Sequence, residues 1–331
     1  MLKKKLYGCF FVLALLVHAC GQSDETPTAT SGNPIQCSII SADAMKGGRA
    51  LIGSGDDLLD VCTDAETIAL WGNYVSGDIA GEIFKATPLA FVDGAWNYTG
   101  GDRHWLYNSF YKFRACYPQN LLGDKLSSTE DGVVTVAYNT ETLQEDLLVS
   151  YKEIDSGSWD LKTPVPLTMK HALATIKFIF QMDGGNTVNE LKSFSLDRTL
   201  RTSADLNYST ESVSVDNWIN KTASPANRIY EWSDNEGLPF SSSQTASPYS
   251  GDGIYCNNGG FVLIIPQSCN VAPTFTCTIG AHTYNDISLG TKLFEPGKNY
   301  IYTIKMKDNT LSVSLRIKAW NELDSSYNII F

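Results

Sequence analysis

Beyond residue 20 the chain holds three histidines, His104, His171 and His282, and six cysteines, Cys37, Cys62, Cys116, Cys256, Cys269 and Cys277. Acid–base chemistry needs a histidine or carboxylate within reach of a reacting proton, and nucleophilic chemistry needs a thiol or hydroxyl beside a base. No GxSxG elbow, HExxH helix, P-loop or GxGxxG stretch supplies such a setting. None of the cysteines forms a CxxC pair, and no histidine stands at ligand spacing from one, so zinc is not expected. His171 opens an apolar stretch behind two prolines and reads as a packing or hydrogen-bonding histidine. His104 beside Trp105 reads as part of a loop or core aromatic pair, with ligand contact as the alternative. Asp56-Asp57 and Asp234-Asn235-Glu236 offer oxygens of the kind calcium takes, but neither fits an EF-hand loop, and solvated turns are expected. The sequence therefore assigns no catalytic residue, no metal and no cofactor.

Cys20 stands in a different setting. Three lysines, Lys3 to Lys5, precede an apolar run from Leu6 to Val17, and small Ala19 comes just before Cys20. That order is the one found in a secretory signal, and twelve apolar residues are too few to span a bilayer, which takes roughly 20. Leu16-Val17-His18-Ala19-Cys20 resembles a bacterial lipobox, whose cysteine is diacylated and becomes the new N-terminus. Residues 1–19 are then a lipoprotein signal peptide, Cys20 is the lipid attachment point, and the polar tract from Gly21 to Pro34 is a tether. A plain signal peptide is the alternative. An exported chain meets an oxidising compartment, so Cys269 with Cys277 and Cys62 with Cys116 could pair; buried free thiols are the other reading.

The composition narrows the function classes. The 331 residues carry 25 basic and 36 acidic side chains, a formal net charge of −11, which argues against a phosphate-binding surface and hence against nucleic acid. Fourteen Phe, 16 Tyr and 7 Trp lean towards strands rather than a helix bundle.

The elements that would position any site read in period two. In LSVSLRIKAW, Leu311, Val313, Leu315, Ile317 and Ala319 share one face, predicting a half-buried strand. Tyr300, Tyr302, Ile304 and Met306 alternate in the same way just before it, and the four residues KDNT turn between the two, so the pair is a hairpin. ATIKFIFQM, FVLIIP, TFTCTI, LKSFSLD and GVVTVAY are further strands, and no amphipathic helix of three turns stands out. Short strands at such spacing predict antiparallel sandwiches. Pro164 and Pro166 mark a junction, giving an N-terminal sandwich over 50–163 and a C-terminal one over 164–331.

The lipobox at Cys20, PLTMKHALATIKFIF, FVLIIPQ, and FEPGKNYIYTIKM followed by LSVSLRIKAW together resemble the Bacteroidales fimbrillin family, lipoprotein precursors of surface pili. The resemblance implies an all-β fold of two tandem transthyretin-like antiparallel β-sandwiches and a structural role without catalysis. It implies a precursor at the outer membrane surface, held there by lipid, and an extracellular pilus once mature. An Arg-specific protease then cuts in MKGGRALIG between Arg49 and Ala50, removing residues 20–49, the tether and prosegment with the first strand. In IQCSI, Ile35, Cys37 and Ile39 face one way, so the segment can pair as a strand, and its loss leaves an open edge that recruits a replacement. Three apolar side chains suggest roughly 5–9 kcal/mol before ordering costs. Residues 321–331 contain Tyr327, Ile329 and Phe331 on one face and form a candidate donor strand, or pair within their own domain. The implied partners are other pilus subunits, as a homo- or heteropolymer, together with the maturation protease and the outer membrane. The alternative is a permanently lipid-anchored surface module that binds glycan or host protein.

Overall fold

The computed structural model describes residues 29–40, 67–122, 125–128, 134–185, 187–250 and 260–320. The first half carries β1 (Ala29–Pro34), β2 (Cys37–Ile40), β3 (Ile68–Ser76), β4 (Ile79–Val92), β5 (Ala95–Tyr98), β6 (His104–Leu106) and β7 (Phe110–Tyr117). After the four-residue helix α1 (Gln119–Leu122) come β8 (Leu126–Ser128), β9 (Val134–Asn139), β10 (Leu148–Asp155), β11 (Val165–Thr168) and β12 (Lys170–His171). Then follow β13 (Ala174–Met182), β14 (Asn189–Asp197), β15 (Arg201–Tyr208), β16 (Trp218–Ala223), β17 (Arg228–Phe240) and β18 (Phe261–Ile264). The chain continues through β19 (Gln267–Ser268), β20 (Thr274–Ile279), β21 (His282–Ser288), β22 (Leu293–Phe294), β23 (Lys298–Lys307) and β24 (Thr310–Ala319). The fold is all-β, as the alternation predicts. Among the described residues no helix is long and apolar enough to cross a membrane.

The main sheet of the first half runs β12-β10-β7-β3-β4-β5, antiparallel throughout. Alternation along β7 sends Tyr111, Phe113, Ala115 and Tyr117 into one core and Cys116 into another. The layer over the first of these faces consists of two two-stranded ladders, β1 with β6 and β2 with β11. They close the first core by setting Ile35, Cys37, Trp105, Val165 and Leu167 against Ile68, Leu70, Phe84 and Phe113.

In the second half, sheets β18-β13-β23-β24 and β17-β14-β20-β21 face each other across an aromatic core. Phe178 lies 4.4 Å from Phe194 between ring centroids, and Phe194 lies 5.4 Å from Phe275. β13 and β23 pair in parallel, and both carry apolar residues on both faces. The back of this sheet, with Ile179, Leu263 and Ile301, meets Trp71, Cys116 and Val149 of the main sheet in a third core. The four strands β16-β15-β9-β8 close that core with Val136, Leu206, Tyr208 and Trp218. Pairing therefore crosses the position between residues 163 and 164: β9 pairs with β15, and β11 pairs with β2.

The expected C-terminal hairpin is present as β23 and β24, in register from Lys298↔Ala319 to Lys307↔Thr310. Its turn is tighter than four residues, because Asp308 and Asn309 both take positive φ, 47° and 60°, the backbone of a two-residue turn. The expectation of a half-buried β24 holds for Leu311, Val313 and Ala319 but not for Leu315 and Ile317. Leu315 is 36% and Ile317 50% exposed, because β24 is the outer strand of its sheet and pairs only with β23 among the described residues. The other outer strand, β18, is closed by a side chain. The Gln144 amide accepts from Leu263 N at 2.7 Å and donates to Leu263 O at 3.1 Å, standing in for a neighbouring strand. Gln144→Ala removes the amide's bonds to Leu263 N, Leu263 O and Thr140 O, stranding buried backbone groups at about 1–3 kcal/mol each, only partly relieved by the Tyr230 hydroxyl 3.4 Å from Leu263 O. Urea unfolding should show a loss of about 2–4 kcal/mol with an unchanged denaturant slope.

Candidate functional site

The residues with reactive side chains are absorbed into packing. His171 places Nδ1 2.7 Å from Asp146 Oδ2 and stacks on Trp320 with centroids 4.3 Å apart, so it is a hydrogen-bonded core histidine. Trp105 is buried edge-on against Tyr111, and His104 pairs through its backbone with Pro34. Asp234 accepts from the backbone amides of Glu236 and Gly237, closing a turn on itself. Among the described residues no three His, Cys, Asp or Glu side chains group closely enough to hold a metal. Cys37, Cys116, Cys269 and Cys277 are free and buried, so Cys269 and Cys277 do not pair with each other; Cys62, the suggested partner of Cys116, lies outside the described residues.

The remaining candidate is the seat of the first strand. Residues 29–40 run through both ladders of the covering layer: β1 pairs antiparallel with β6, and β2 pairs parallel with β11, Cys37 opposite Val165 and Ile40 opposite Thr168. Between them Ile35 is held at both backbone groups. Its N–H donates to Arg103 O at 2.6 Å, and its carbonyl accepts from the Tyr98 hydroxyl at 2.9 Å. Arg103 is itself fixed by donating to the carbonyls of Ile83, Gly100 and Gly101.

Alternation then sorts the side chains. Ile35 is fully buried, Cys37 is 5% exposed, and Ile39 is half-buried at the margin of the same core. Gln36 and Ile40 are exposed and Ser38 half-buried. Because Cys37 is small and Ile39 only partly covered, the burial gain falls towards the lower end of the roughly 5–9 kcal/mol suggested by three full apolar side chains.

The partner strand explains the proline pair. Val165 N donates to Gln36 O at 2.7 Å and Met169 N to Ile40 O at 2.8 Å. In a parallel ladder alternate residues bond to the same neighbour, so Pro166 turns its donorless nitrogen away from β2. The sequence marks Pro164 and Pro166 as a junction, but the strand they frame pairs with a segment more than a hundred residues earlier. Tyr98 and Arg103 carry no motif in the sequence, a lone tyrosine and an arginine in the turn Gly100-Gly101-Asp102-Arg103.

Of the residues singled out from sequence, Ile35, Cys37 and Ile39 lie together on this segment. Cys20, Arg49, Ala50, Tyr327, Ile329 and Phe331 fall outside the described residues.

The family comparison agrees with this architecture. A family profile described as fimbrillin-like matches residues 60–320. A crystal structure of a fimbrial protein from Bacteroides vulgatus superposes with a TM-score of 0.61 at 14% identity, covering 86% of this chain and 99% of that one. A candidate cell adhesion protein from Bacteroides ovatus gives 0.55 at 13% identity, covering 88% and 99%. No curated relative matches the sequence.

Burial pushes the Cys37 thiol from the usual 9.0 up to about 12, and Cys277 likewise to about 12. At pH 8 the folded chain should therefore alkylate at Cys37 at least ~100-fold more slowly than the urea-unfolded chain, as read by peptide mass mapping after iodoacetamide. The same shifts make stability fall with rising pH. Above about pH 9 the unfolded thiols release protons that the folded ones keep, so the unfolding midpoint should drop steadily between pH 9 and 12.

Proposed function

The chain belongs to the fimbrillin-like family, and we propose that it is a structural subunit of a surface fimbria, exported as a lipoprotein precursor and assembled by exchange of its first strand. Family membership and the fold shared with a fimbrial protein support a fimbrial or adhesion subunit at the cell surface. The observation that carries the finer reading is that residues 29–40 belong to both ladders over the first core, with Ile35 and Cys37 buried and β11 paired to them alone among the described residues. Removing that segment would open an apolar groove and unpair β11 at one stroke, which is the situation that recruits a strand from a neighbour.

In this reading Cys20 carries the lipid, the Arg-specific cut falls between Arg49 and Ala50, and Ile35, Cys37 and Ile39 form the displaced strand. Tyr327, Ile329 and Phe331 are the candidate donor towards a neighbouring subunit. The division into sandwiches over 50–163 and 164–331 belongs to the same reading, with the third core as the joint between them. The subunit works by binding alone and carries out no reaction.

Treatment of unlipidated precursor with an Arg-specific protease tests this. Mass spectrometry should find a new N-terminus at Ala50, and Arg49→Ala should abolish it. Resistant oligomers on an unboiled denaturing gel would mark self-assembly, and the same cut without oligomers would mark a subunit that needs a partner's strand. An Arg49→Ala precursor that matured and polymerised normally would refute the activation step. No cut at Arg49, with a stable monomer, would replace it with an anchored binding module.

A further inference from the structure

The sheet β16-β15-β9-β8 has two unlike faces. Val136, Leu206, Tyr208 and Trp218 point inward and close the third core, while the outward positions of the two central strands hold Thr135, Ala137 and Asn139 on β9 and Ser203, Asp205 and Asn207 on β15. All six are short, and a cleft of about 250 Å³ opens across this face, from Lys125 beside β8 to Asn220 and Thr222 of β16. A bulge shapes one wall. Between Ser203↔Thr222 and Asp205↔Ile219 the strand β16 has one residue more than β15, and within that bulge Asn220 takes positive φ, 53°. Left-handed backbone is uncommon for residues other than glycine and least costly for Asn and Asp. Here it brings the Asn220 amide to Asp205, with Nδ2 donating to Oδ2 at 2.7 Å. The pair leaves Asp205 Oδ1 and the Asn220 carbonyl without a hydrogen bond among the described residues, and Asn139, whose Oδ1 accepts from Glu141 N, likewise keeps its Nδ2 uncommitted.

The groups around the cleft define what it can take. Lys125 and Asp205 carry opposite charges, so the lining is neutral as a whole and favours neither an anion nor a cation. No large apolar side chain stands in it, since the Tyr138 ring beneath belongs to the third core, so an acyl chain would find no cover there. The cleft lies across the sheet face rather than along an edge, which leaves a peptide no ladder to join. What remains is a set of hydroxyl, amide and carboxylate groups, with acceptors beside donors. A hydroxyl both donates and accepts at one atom, so it can answer a carboxylate oxygen and an amide N–H together. We infer that this cleft is a saccharide site: Asp205 and Asn220 hold neighbouring hydroxyls of one pyranose unit, Asn139 and Ser203 take a further hydroxyl, and Ala137 leaves room for the ring. The site does not depend on strand exchange, because none of its lining residues belongs to the first core or to residues 29–40. In the proposed polymer it would recur on every subunit, and repetition raises the avidity of a contact that is weak singly.

The test uses the full-length, unlipidated, uncut chain and four probes: methyl α-D-mannopyranoside, methyl β-D-galactopyranoside, methyl α-L-fucopyranoside and N-acetyl-D-glucosamine, each titrated by saturation-transfer NMR. At least one should bind with a dissociation constant of millimolar order, as a small ligand in an open cleft would. Asp205→Asn should weaken that binding about tenfold or more, and Ala137→Trp, which fills the cleft from an exposed position, should abolish it. The urea midpoints of both variants should stay close to the parent's, because both side chains face away from the third core. Calcium chloride and sodium phosphate should not displace the saccharide. Failure of all four probes to bind, or binding that both variants leave unchanged, would overturn the site, and displacement by calcium or phosphate would overturn its assignment to a neutral ligand. Each of those outcomes leaves the Arg49 cut and strand exchange standing, since neither enters the assay.

Discussion

One segment with two hydrogen-bonded neighbours organises the first half of the molecule. The main sheet presents a broad apolar face, and such a face must be covered. The cover is assembled from pieces too short to stand alone: β6 has three residues and β11 four, and each has its ladder partner in residues 29–40. Short isolated pairs are marginal in water, so these strands depend on the segment as much as it depends on them. The backbone grip at Ile35 and the buried side chains of Ile35 and Cys37 hold the layer in place.

The rest of the fold is arranged so as not to share this dependence. Neither the aromatic core of the second half nor the third core contains any residue of 29–40. At three places elsewhere, backbone groups at strand ends and edges are closed within the chain by side-chain amides. Gln144 serves Leu263, Gln267 accepts from Arg201 N and donates to Arg201 O, and Asn299 donates to Ala319 O at 3.3 Å. These amides are fixed to strands that stay, and they carry the interior hydrogen bonds that would otherwise be unmade. The contrast is between edges sealed by residues of the body and one layer sealed by a segment near the start of the chain.

What could be read from the residues follows the range of the interactions. The hairpin β23–β24, the strand Ala174–Met182 and the inward set Ile35, Cys37 and Ile39 were legible because alternation and a short turn are local signals. The parallel pairing of β2 with β11 was not, since more than a hundred residues separate the partners and Pro166 suggests a break rather than a strand. The exposure of Leu315 and Ile317 was equally hidden, because the pattern of an outer strand does not tell how far the facing sheet extends. The Gln144 clamp is invisible for the same reason: a glutamine in a polar loop looks alike whether it meets water or a strand edge.

These two features, a dependent layer and an independent remainder, bear on how a subunit could change partners without unfolding. Exchange requires that the cost of losing a strand stay local, and locality is a matter of which cores share side chains. Loss of the segment would take Ile35 and Cys37 from the first core, yet the main sheet is pinned from behind by Trp71, Cys116 and Val149 in the third core. The main sheet could therefore keep its twist and spacing while part of one face is uncovered. A main-sheet face held from behind leaves only the incoming strand and its short partners β6 and β11 to be ordered on binding, which limits the entropic cost of association. In the proposed assembly the second sandwich and the joint between the halves thus act as a scaffold that keeps the groove in the shape of the strand it has lost.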